Sequence, residues 1–280
     1  MPVGIAERSA LAAAAVVLVL ASVDLATGGS SSKATDALAS LSPSPAVTLA
    51  PVTTAETTPV RTAQPAVTAA PRRSATPIPG GPSAFAKPPI AGKYVYNVTD
   101  PRGTRTSNLV ISDRSPGHQI EHNDDSGTTD EVAWGSSGKF DQATTFNFGQ
   151  VSVRCDWNPD LLEYEFPLRA GASWPERSSC HPSSTSTFSV DGTARVSGPE
   201  HLSVGGGSVV TWIVTFDGTL RVQGDTQSFS ETIHDEDHFS PDHGITVKEV
   251  TNTTDTDPSG KQTKDSETRY LENLSPGTSA

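Results

Sequence analysis

Short alternating segments separated by turn signals dominate the sequence after residue 90. Apolar and polar residues alternate with period two inside these segments, and clusters of Gly, Pro, Asp and Ser separate them about every 8–12 residues. The clearest turn signals lie at 100–103, 115–117, 191–192, 205–207 and 217–218. Strands are predicted at 93–98, 108–112, 131–134, 144–157, 186–190, 194–197, 209–216, 220–222, 227–234, 245–251 and 267–272. The pattern predicts an all-β domain, either an antiparallel meander, an open half-barrel or a sandwich.

Helical periodicity is weak in the same part of the chain. No window of about 12 residues after the N-terminus carries an apolar stripe at helical spacing. Residues 160–165 are expected to form at most one helical turn. The aromatic residues are therefore interpreted as the core of the β domain rather than as a helix face.

The composition changes sharply near Ile90. Residues 27–89 contain 11 prolines and 18 Ser/Thr, with Phe85 as the only aromatic residue. Such a segment cannot bury enough apolar surface to offset its chain entropy, so it is predicted to be a disordered Ala/Ser/Thr/Pro-rich linker. The β-rich domain is predicted over residues 90–274, followed by a disordered tail at 275–280.

Residues 1–26 are interpreted as a membrane-targeting segment. Residues 10–23 are almost all apolar and follow Arg8, a length that suits a signal peptide better than the roughly 20 residues of a full membrane span. The sequence leaves open whether the segment is cleaved or kept as a hydrophobic anchor helix. Either outcome predicts an extracytoplasmic protein, secreted or held at the cell membrane.

Charge is distributed unevenly along the chain. The whole chain has a net charge of −12, and the part from Ala91 onward has 28 acidic and 14 basic residues. An acidic domain repels phosphate backbones, so nucleic acid is not expected as a partner. Solubility is the simplest reason for the acidity, and cation binding is the alternative.

Cys155 and Cys180 are the only cysteines in the sequence. An even number of cysteines in an exported chain favours a disulfide, since the oxidising environment outside the cytoplasm preserves it. A metal or redox pair would need closer spacing or further ligands. A Cys155–Cys180 disulfide is therefore predicted.

Three phrases carry a resemblance to secreted bacterial β-domains of unknown function. They are Phe-Pro-Leu at 166–168 with Gly-Ala-Ser-Trp at 171–174, then residues 198–204, then residues 239–248. In this order they resemble the curved half-barrel of periplasmic lipoprotein carriers, over about residues 140–275. The resemblance implies a fold, an extracytoplasmic location and at most a concave apolar face. It implies no catalytic residue.

The densest group of possible metal ligands lies at residues 234–243. On one strand, His234, Glu236 and His238 would share a face, and imidazole with carboxylate suits zinc or a similar divalent ion. The simpler interpretation is a solvated strand end or loop. Asp235 and Asp237 would otherwise point into the domain, which is costly for a charged group.

No catalytic motif stands out. The sequence has no Gly-x-Ser-x-Gly elbow and no His-Glu-x-x-His, and the glycines at 205–207 precede a strand rather than a helix. No cofactor is expected. The leading hypothesis is a non-enzymatic cell-envelope module that binds a hydrophobic ligand, a wall polymer or a protein. The alternatives are a metal-dependent hydrolase using residues 234–243 and a purely structural surface protein.

Overall fold

A computed structural model describes residues 83–148, 151–224 and 228–277 of the chain. The predicted targeting segment and most of the predicted linker lie outside these residues. The described part is built from strands, and it contains no helix long and apolar enough to cross a membrane. The strands are β1 Ser83–Ala84, β2 Gly92–Asp100, β3 Gly103–Ser115, β4 His118–Asn123, β5 Thr128–Gly135, β6 Gly138–Phe148, β7 Val151–Glu165, β8 Leu168–Arg169, β9 Ser173–Ser183, β10 Ser186–Val204, β11 Gly207–Gln223, β12 Ser228–Ser240, β13 Ile245–Thr256 and β14 Gln262–Leu271.

Twelve of these strands form one closed antiparallel barrel. Strands β2 to β7 and β9 to β14 follow each other around the barrel in chain order, and β14 pairs back onto β2. The small strands β1 and β8 form a separate antiparallel pair. The predictions of an all-β fold and of an antiparallel meander are confirmed.

The barrel is closed, whereas an open half-barrel or a sandwich was also expected. Closure depends on β9, which pairs with β10 along most of its length and meets β7 at Asn158 and Ser179. Each barrel strand in the described residues has a neighbour on both sides, although β7 and β9 pair at one position only, and such closure limits aggregation through free strand edges. The half-barrel that the resemblance implied is therefore corrected to a full barrel.

Two predicted turns lie inside long strands. Gly192 and Gly218 face each other across β10 and β11, where turns had been expected at 191–192 and 217–218. A Cβ atom on either glycine would collide with the buried aromatic ring of Phe216. These glycines therefore make room for an aromatic side chain, so that 186–190 and 194–197 belong to one strand, as do 209–216 and 220–222.

Two further predictions about β6 and β7 are corrected. The predicted strand at 144–157 is divided between the two strands, which pair antiparallel from Phe148 and Val151 onward. The helical turn expected at 160–165 is part of β7. An irregularity in the register between β6 and β7 puts the adjacent residues Glu163 and Tyr164 both in buried positions, which obscures the strand alternation in the sequence.

The core consists of three apolar clusters. The first contains the Cys155–Cys180 disulfide, which links β7 to β9 with Cα atoms 5.4 Å apart. The second lies between β2, β3, β13, β14 and the tip of the β10–β11 hairpin. The third contains Phe166, Leu168, Trp174 and Phe239, so residues from two of the three resembling phrases meet in one apolar cluster.

Residues 83–89, called the strap below, contact the third cluster and the strand β4. Ala84 and Ala86 pack against the third cluster, and the backbone N–H of Lys87 donates a hydrogen bond to the carbonyl of Pro241. Gln119 donates to the carbonyl of Pro89. At the other terminus, Gly277 exchanges backbone hydrogen bonds with Lys93. The domain boundary near Ile90 remains a prediction.

Candidate functional site

One end of the barrel opens into a pocket of about 650 Å³, called the mouth pocket below. It lies at the end where β2 turns into β3 and β4 turns into β5. Its walls come from the inner faces of β3 and β4 on one side and of β12, β13 and β14 on the other. The lining residues are mostly charged or polar: Asp100, Pro101, Arg102, Gly103, Thr104, Arg105, Asn123, Asp125, Ser126, Glu231, Thr251, Thr253, Asp265, Ser266, Glu267 and Arg269.

Arg105 joins three sides of the mouth pocket. Its guanidinium donates to Asp100 on β2, to Asp125 in the β4–β5 turn and to Glu267 on β14, the last at 2.8 Å. Hydrogen bonds from Arg102, with help from Arg105, lower the pKa of Asp100 to about 2. Asp100 therefore stays ionised at neutral pH, and together with Asp125 and Glu267 it surrounds the Arg105 guanidinium.

In and below the mouth pocket, the barrel interior is strongly acidic. The described chain buries ten carboxyl groups but only one lysine and one arginine, Lys139 and Arg269. A buried carboxylate is costly unless it is paired, hydrogen-bonded or protonated. The ten carboxyl groups are those of Glu121, Asp130, Asp141, Glu163, Glu176, Glu231, Asp235, Asp237, Glu249 and Asp255.

Lys139 lies at the centre of one part of this acidic interior. Its side chain is 1% exposed, and its Nζ lies 3.1 Å from Glu121 and 2.8 Å from Glu163. Burial lowers the pKa of Lys139, but the nearby carboxylates outweigh burial and raise the pKa above its usual value. Burial, reinforced by Glu163 and Asp130, raises the pKa of Asp141 well above its usual range. Lys139 therefore stays charged, while Asp141 favours its neutral form.

A second acidic group lies deeper, beneath the β12–β13 wall. Carboxylate oxygens of Asp235, Asp237 and Glu249 lie within 4.8 Å of one another, and all three residues are buried. The hydroxyl of Thr251, which also lines the mouth pocket, lies within hydrogen-bonding distance of both Asp235 (2.7 Å) and Glu249 (3.0 Å), and its single proton bonds one of them at a time. Tyr164 donates to Asp237 at 2.8 Å. Three carboxylate oxygens at this spacing suit a hard divalent cation such as Ca²⁺ better than zinc.

The side chain of Arg269 offers a simpler interpretation of the three carboxyl groups than a bound metal ion. It is buried and lies directly opposite Glu249 in the β13–β14 ladder. Its guanidinium also donates to Ser107 at 2.8 Å and lies over the ring of Tyr96. A cation of the protein itself is thus placed next to the three carboxyl groups.

The predicted ligands His234, Glu236 and His238 are on the strand β12, but their contacts differ. His234 lies 2.7 Å from Asp217, on the outer face of the barrel. His238 contacts Glu236 through Nε2 at 2.9 Å and Glu200 through Nδ1. The structure therefore brings Glu236 and His238 together and gives His234 a separate partner.

The acidic group on the inner face was missed because of an energetic assumption. The cost of burying a charged group predicts that the strand ends before Asp235 and Asp237. In the structure β12 continues to Ser240, and both residues do face inward. The sequence signal for these inward-facing residues is the period-two spacing of Glu231, Ile233, Asp235 and Asp237, which puts all four on one face of a continuous strand.

Comparisons with known proteins give little further information. No family model and no curated protein matches the chain. Among solved structures, it is similar to a protein described as a "putative lipoprotein" from Parabacteroides distasonis, with 11% sequence identity and a TM-score of 0.34. The match covers 69% of this chain and 99% of that chain. Similarity at this level does not reveal what the barrel binds.

Proposed function

We propose that the chain is an exported, non-enzymatic binding protein of the cell envelope, and that its ligand is polar and enters the mouth pocket. The observation that carries this proposal is the lining of the pocket, in which eight of the sixteen residues carry a formal charge. Hydroxyl groups of Thr104, Ser126, Thr251, Thr253 and Ser266 add neutral hydrogen-bonding positions.

Among the ligand classes expected from the sequence, this lining favours a segment of wall polymer over a hydrophobic ligand. Burying an apolar group against charged side chains would strip them of water without replacing the lost hydrogen bonds. A polar polymer segment replaces those hydrogen bonds. The disulfide supports an extracytoplasmic location, since such bonds persist mainly outside the reducing cytoplasm.

Filling the mouth pocket tests the proposal. Thr253→Trp places a large side chain on the inner wall, whereas Thr254→Trp places it on the neighbouring position, which faces outward by strand alternation. Soluble wall fragments are titrated into the full chain and followed by calorimetry. We expect binding to the wild type and to Thr254→Trp, and at least a tenfold loss in Thr253→Trp. Equal binding to both variants would place the ligand elsewhere.

The second candidate is a metal-dependent activity, including the hydrolase considered from the sequence. The convergence of Asp235, Asp237 and Glu249 favours it. Calcium and zinc are titrated into the wild type, Asp235→Asn and His234→Ala/His238→Ala. If Asp235→Asn loses the heat of metal binding seen in the wild type, the metal binds at Asp235, Asp237 and Glu249. If His234→Ala/His238→Ala loses it instead, the metal binds at the histidines on the outer face. The absence of heat in all three proteins would remove the metal-dependent candidate.

A further inference from the structure

Asn123 is a buried side chain with one end fixed by the protein and the other end without a protein partner. The residue is 1% exposed and lines the mouth pocket. Its Oδ1 accepts hydrogen bonds from the backbone N–H groups of Asp125 at 2.9 Å and Ser126 at 3.4 Å, and from the Ser107 hydroxyl at 3.2 Å. Because a backbone N–H can only donate, these contacts fix which end of the amide is the oxygen.

The Nδ2 group of Asn123 therefore takes the opposite direction. Within the described residues it has no hydrogen-bond partner, and its surface is buried. Leaving a buried donor unsatisfied costs about 1–3 kcal/mol, so native proteins seldom leave one without a partner. A hydrogen-bond acceptor on a ligand in the mouth pocket would satisfy it.

The opposite wall of the mouth pocket presents carboxyl groups, which are acceptors, instead of an unpaired donor. Glu231 and Asp255 lie directly across from each other in the β12–β13 ladder, and both are buried. Asp255 is two and four positions from Thr253 and Thr251, which line the pocket, so all three share the inner face of β13. Asp265 on β14, opposite Thr253, adds a third carboxyl group to this wall.

Asp255 also has an oxygen without a partner. Its Oδ1 is buried and accepts no hydrogen bond within the described residues, and the whole residue is 7% exposed. Burial, with a contribution from Asp265, raises the pKa of Asp255. A ligand cation beside these carboxyl groups would supply the missing donor and lower the cost of their ionisation.

All three arginines of the pocket have partners of their own, and Arg269 lies opposite Glu249 and donates to Ser107. Arg105 is already surrounded by Asp100, Asp125 and Glu267, and Arg102 is bound to Asp100. Their positive charges are thus largely neutralised on the β2–β3 side. Asp265 on β14 is close enough to Arg102 to help raise the pKa of that guanidinium, whereas Glu231 and Asp255 lie on β12 and β13, with β14 between them and β2.

We infer that the ligand of the mouth pocket carries an ammonium group, bound by Glu231, Asp255 and Asp265, together with an oxygen acceptor bound by the Asn123 amide. This inference rests on the proposed function and specifies its ligand. Amino sugars and peptide ends, both polar and both compatible with a wall polymer, share this chemistry.

Four probes separate the two sources and test the ammonium. Glucosamine is compared with N-acetylglucosamine, and alanyl-alanine with N-acetyl-alanyl-alanine, each as a competitor of soluble wall fragments bound to the full chain. Acetylation removes the positive charge and keeps the oxygen acceptors. We expect at least one of the amines to compete at least tenfold better than its acetylated form. The amine that competes better identifies the source.

Two near-isosteric variants test the assigned contacts. Asp255→Asn removes the charge that faces the ammonium and should weaken the amine at least fivefold. Asn123→Asp keeps the oxygen that caps the β4–β5 turn but removes the N–H donor, and it should weaken alanyl-alanine, whose acceptor is a carboxylate, more than glucosamine. Asn252→Asp is the control, because it adds the same charge on an exposed position of β13 and should change neither affinity.

Two outcomes overturn the inference. If wall fragments bind but acetylated and free amines compete equally, the ammonium assignment is wrong while the proposed polar-ligand function stands. If neither variant differs from Asn252→Asp, the contacts are assigned to the wrong residues. Failure of wall fragments and of all four probes to bind would reject the proposed function itself.

Discussion

At the scale of single residues, the interior of the barrel holds its acidic groups in different ways. Lys139 contacts both Glu121 and Glu163 and offsets part of their negative charge. Thr144 donates to Asp130 at 2.6 Å, which stabilises a carboxylate without adding charge. Asp141 has neither kind of contact at its Oδ1, which is buried without a hydrogen-bond partner in the described chain. It is therefore the residue of this group whose protonation should be most visible in the stability of the protein.

Replacing Asp141 by asparagine should make the protein more stable at high pH. The raised pKa of Asp141 means that its contribution to stability is complete below the pKa of the unfolded chain, about 4, and is lost as pH rises through the folded pKa. Asparagine cannot ionise, so Asp141→Asn should melt several degrees above the wild type at pH 8 and close to it at pH 4. Each unit of elevated pKa corresponds to about 1.4 kcal/mol.

Thermal unfolding between pH 4 and pH 8 measures this difference. Asp242→Asn, at an exposed position, is the control and should track the wild type at every pH. A difference between Asp141→Asn and the wild type that stays constant across the range would show that Asp141 is not the titrating group.

At the scale of elements, the long strands β10 and β11 depend on a cross-strand glycine pair. The ring of Phe216 occupies the space where side chains at Gly192 and Gly218 would lie. The Phe216 ring therefore packs where the two glycines have no side chains of their own. It keeps both strands continuous through positions where the sequence suggests a turn.

Adding a methyl group at Gly192 should therefore destabilise the barrel. Overpacking a filled interior costs about 1–3 kcal/mol, and here the added Cβ meets both the Phe216 ring and the carbonyl of Asp217. Gly192→Ala should lose this amount in urea unfolding, and combination with Phe216→Leu should recover part of it. Gly198→Ala on the same strand is the control, since no atom of the described chain lies within 4 Å of its added Cβ. Equal losses in both alanine variants would mean that backbone entropy, not Phe216, explains the glycine.

Strand positions were largely predictable from sequence, but strand ends and the closure of the barrel were not. Alternation located β2, β3, β5, β12 and β13 because each has one buried and one exposed face. The dipeptides Asp191-Gly192 and Asp217-Gly218 have the composition of a hairpin turn. Only the structure shows that their glycines lie within strands and make room for the Phe216 ring. The mouth pocket was not predictable, because Asn123, Glu231 and Asp265 are far apart in sequence and meet only when the barrel closes.

At the scale of the whole molecule, one covalent link crosses the region where the barrel closes. Strands β7 and β9 are joined by the Cys155–Cys180 disulfide, close to the Asn158–Ser179 pair that connects the same strands. Direct pairing between these two strands is limited to one residue pair in the described chain, so the disulfide reinforces the shortest strand pairing of the barrel.

Reduction should therefore lower stability without changing the fold. Closing a loop of 25 residues contributes about 3 kcal/mol by chain entropy, equivalent to about 6–12 °C in melting temperature for a domain of this size. Intact mass after alkylation should show two labels only when the protein is reduced first. Two labels without reduction, or an unchanged melting temperature after reduction, would contradict the prediction.

The strap is the segment through which the barrel continues toward the N-terminal part of the chain. Composition predicts that residues 27–89 are accessible to proteases, whereas the contacts of residues 83–89 with the barrel predict protection from Ser83 onward. Elastase, which cuts after small residues, should therefore leave a stable fragment that begins close to Ser83. A fragment beginning at Ile90 or later would show that the strap is not held, and resistance throughout 27–82 would contradict the linker prediction.

Gly244 lies against the strap, and replacing it tests whether that contact protects the strap from elastase. A Cβ atom on Gly244 would collide with the backbone carbonyl of Lys87 and the backbone atoms of Pro88 and Pro89, and the backbone φ of +65° also disfavours a side chain there. Gly244→Ala should push the strap away, so that elastase trims the fragment to about Ile90. Gly260→Ala is the matched control, because Gly260 has a similar positive φ of 83° but no atom of the described chain, apart from its chain neighbours, within 4 Å of the added Cβ.

If both variants give the wild-type fragment, the strap tolerates the added methyl group and its position is not fixed by Gly244. If both give the shorter fragment, backbone strain in the β turns, not contact with the strap, controls protection.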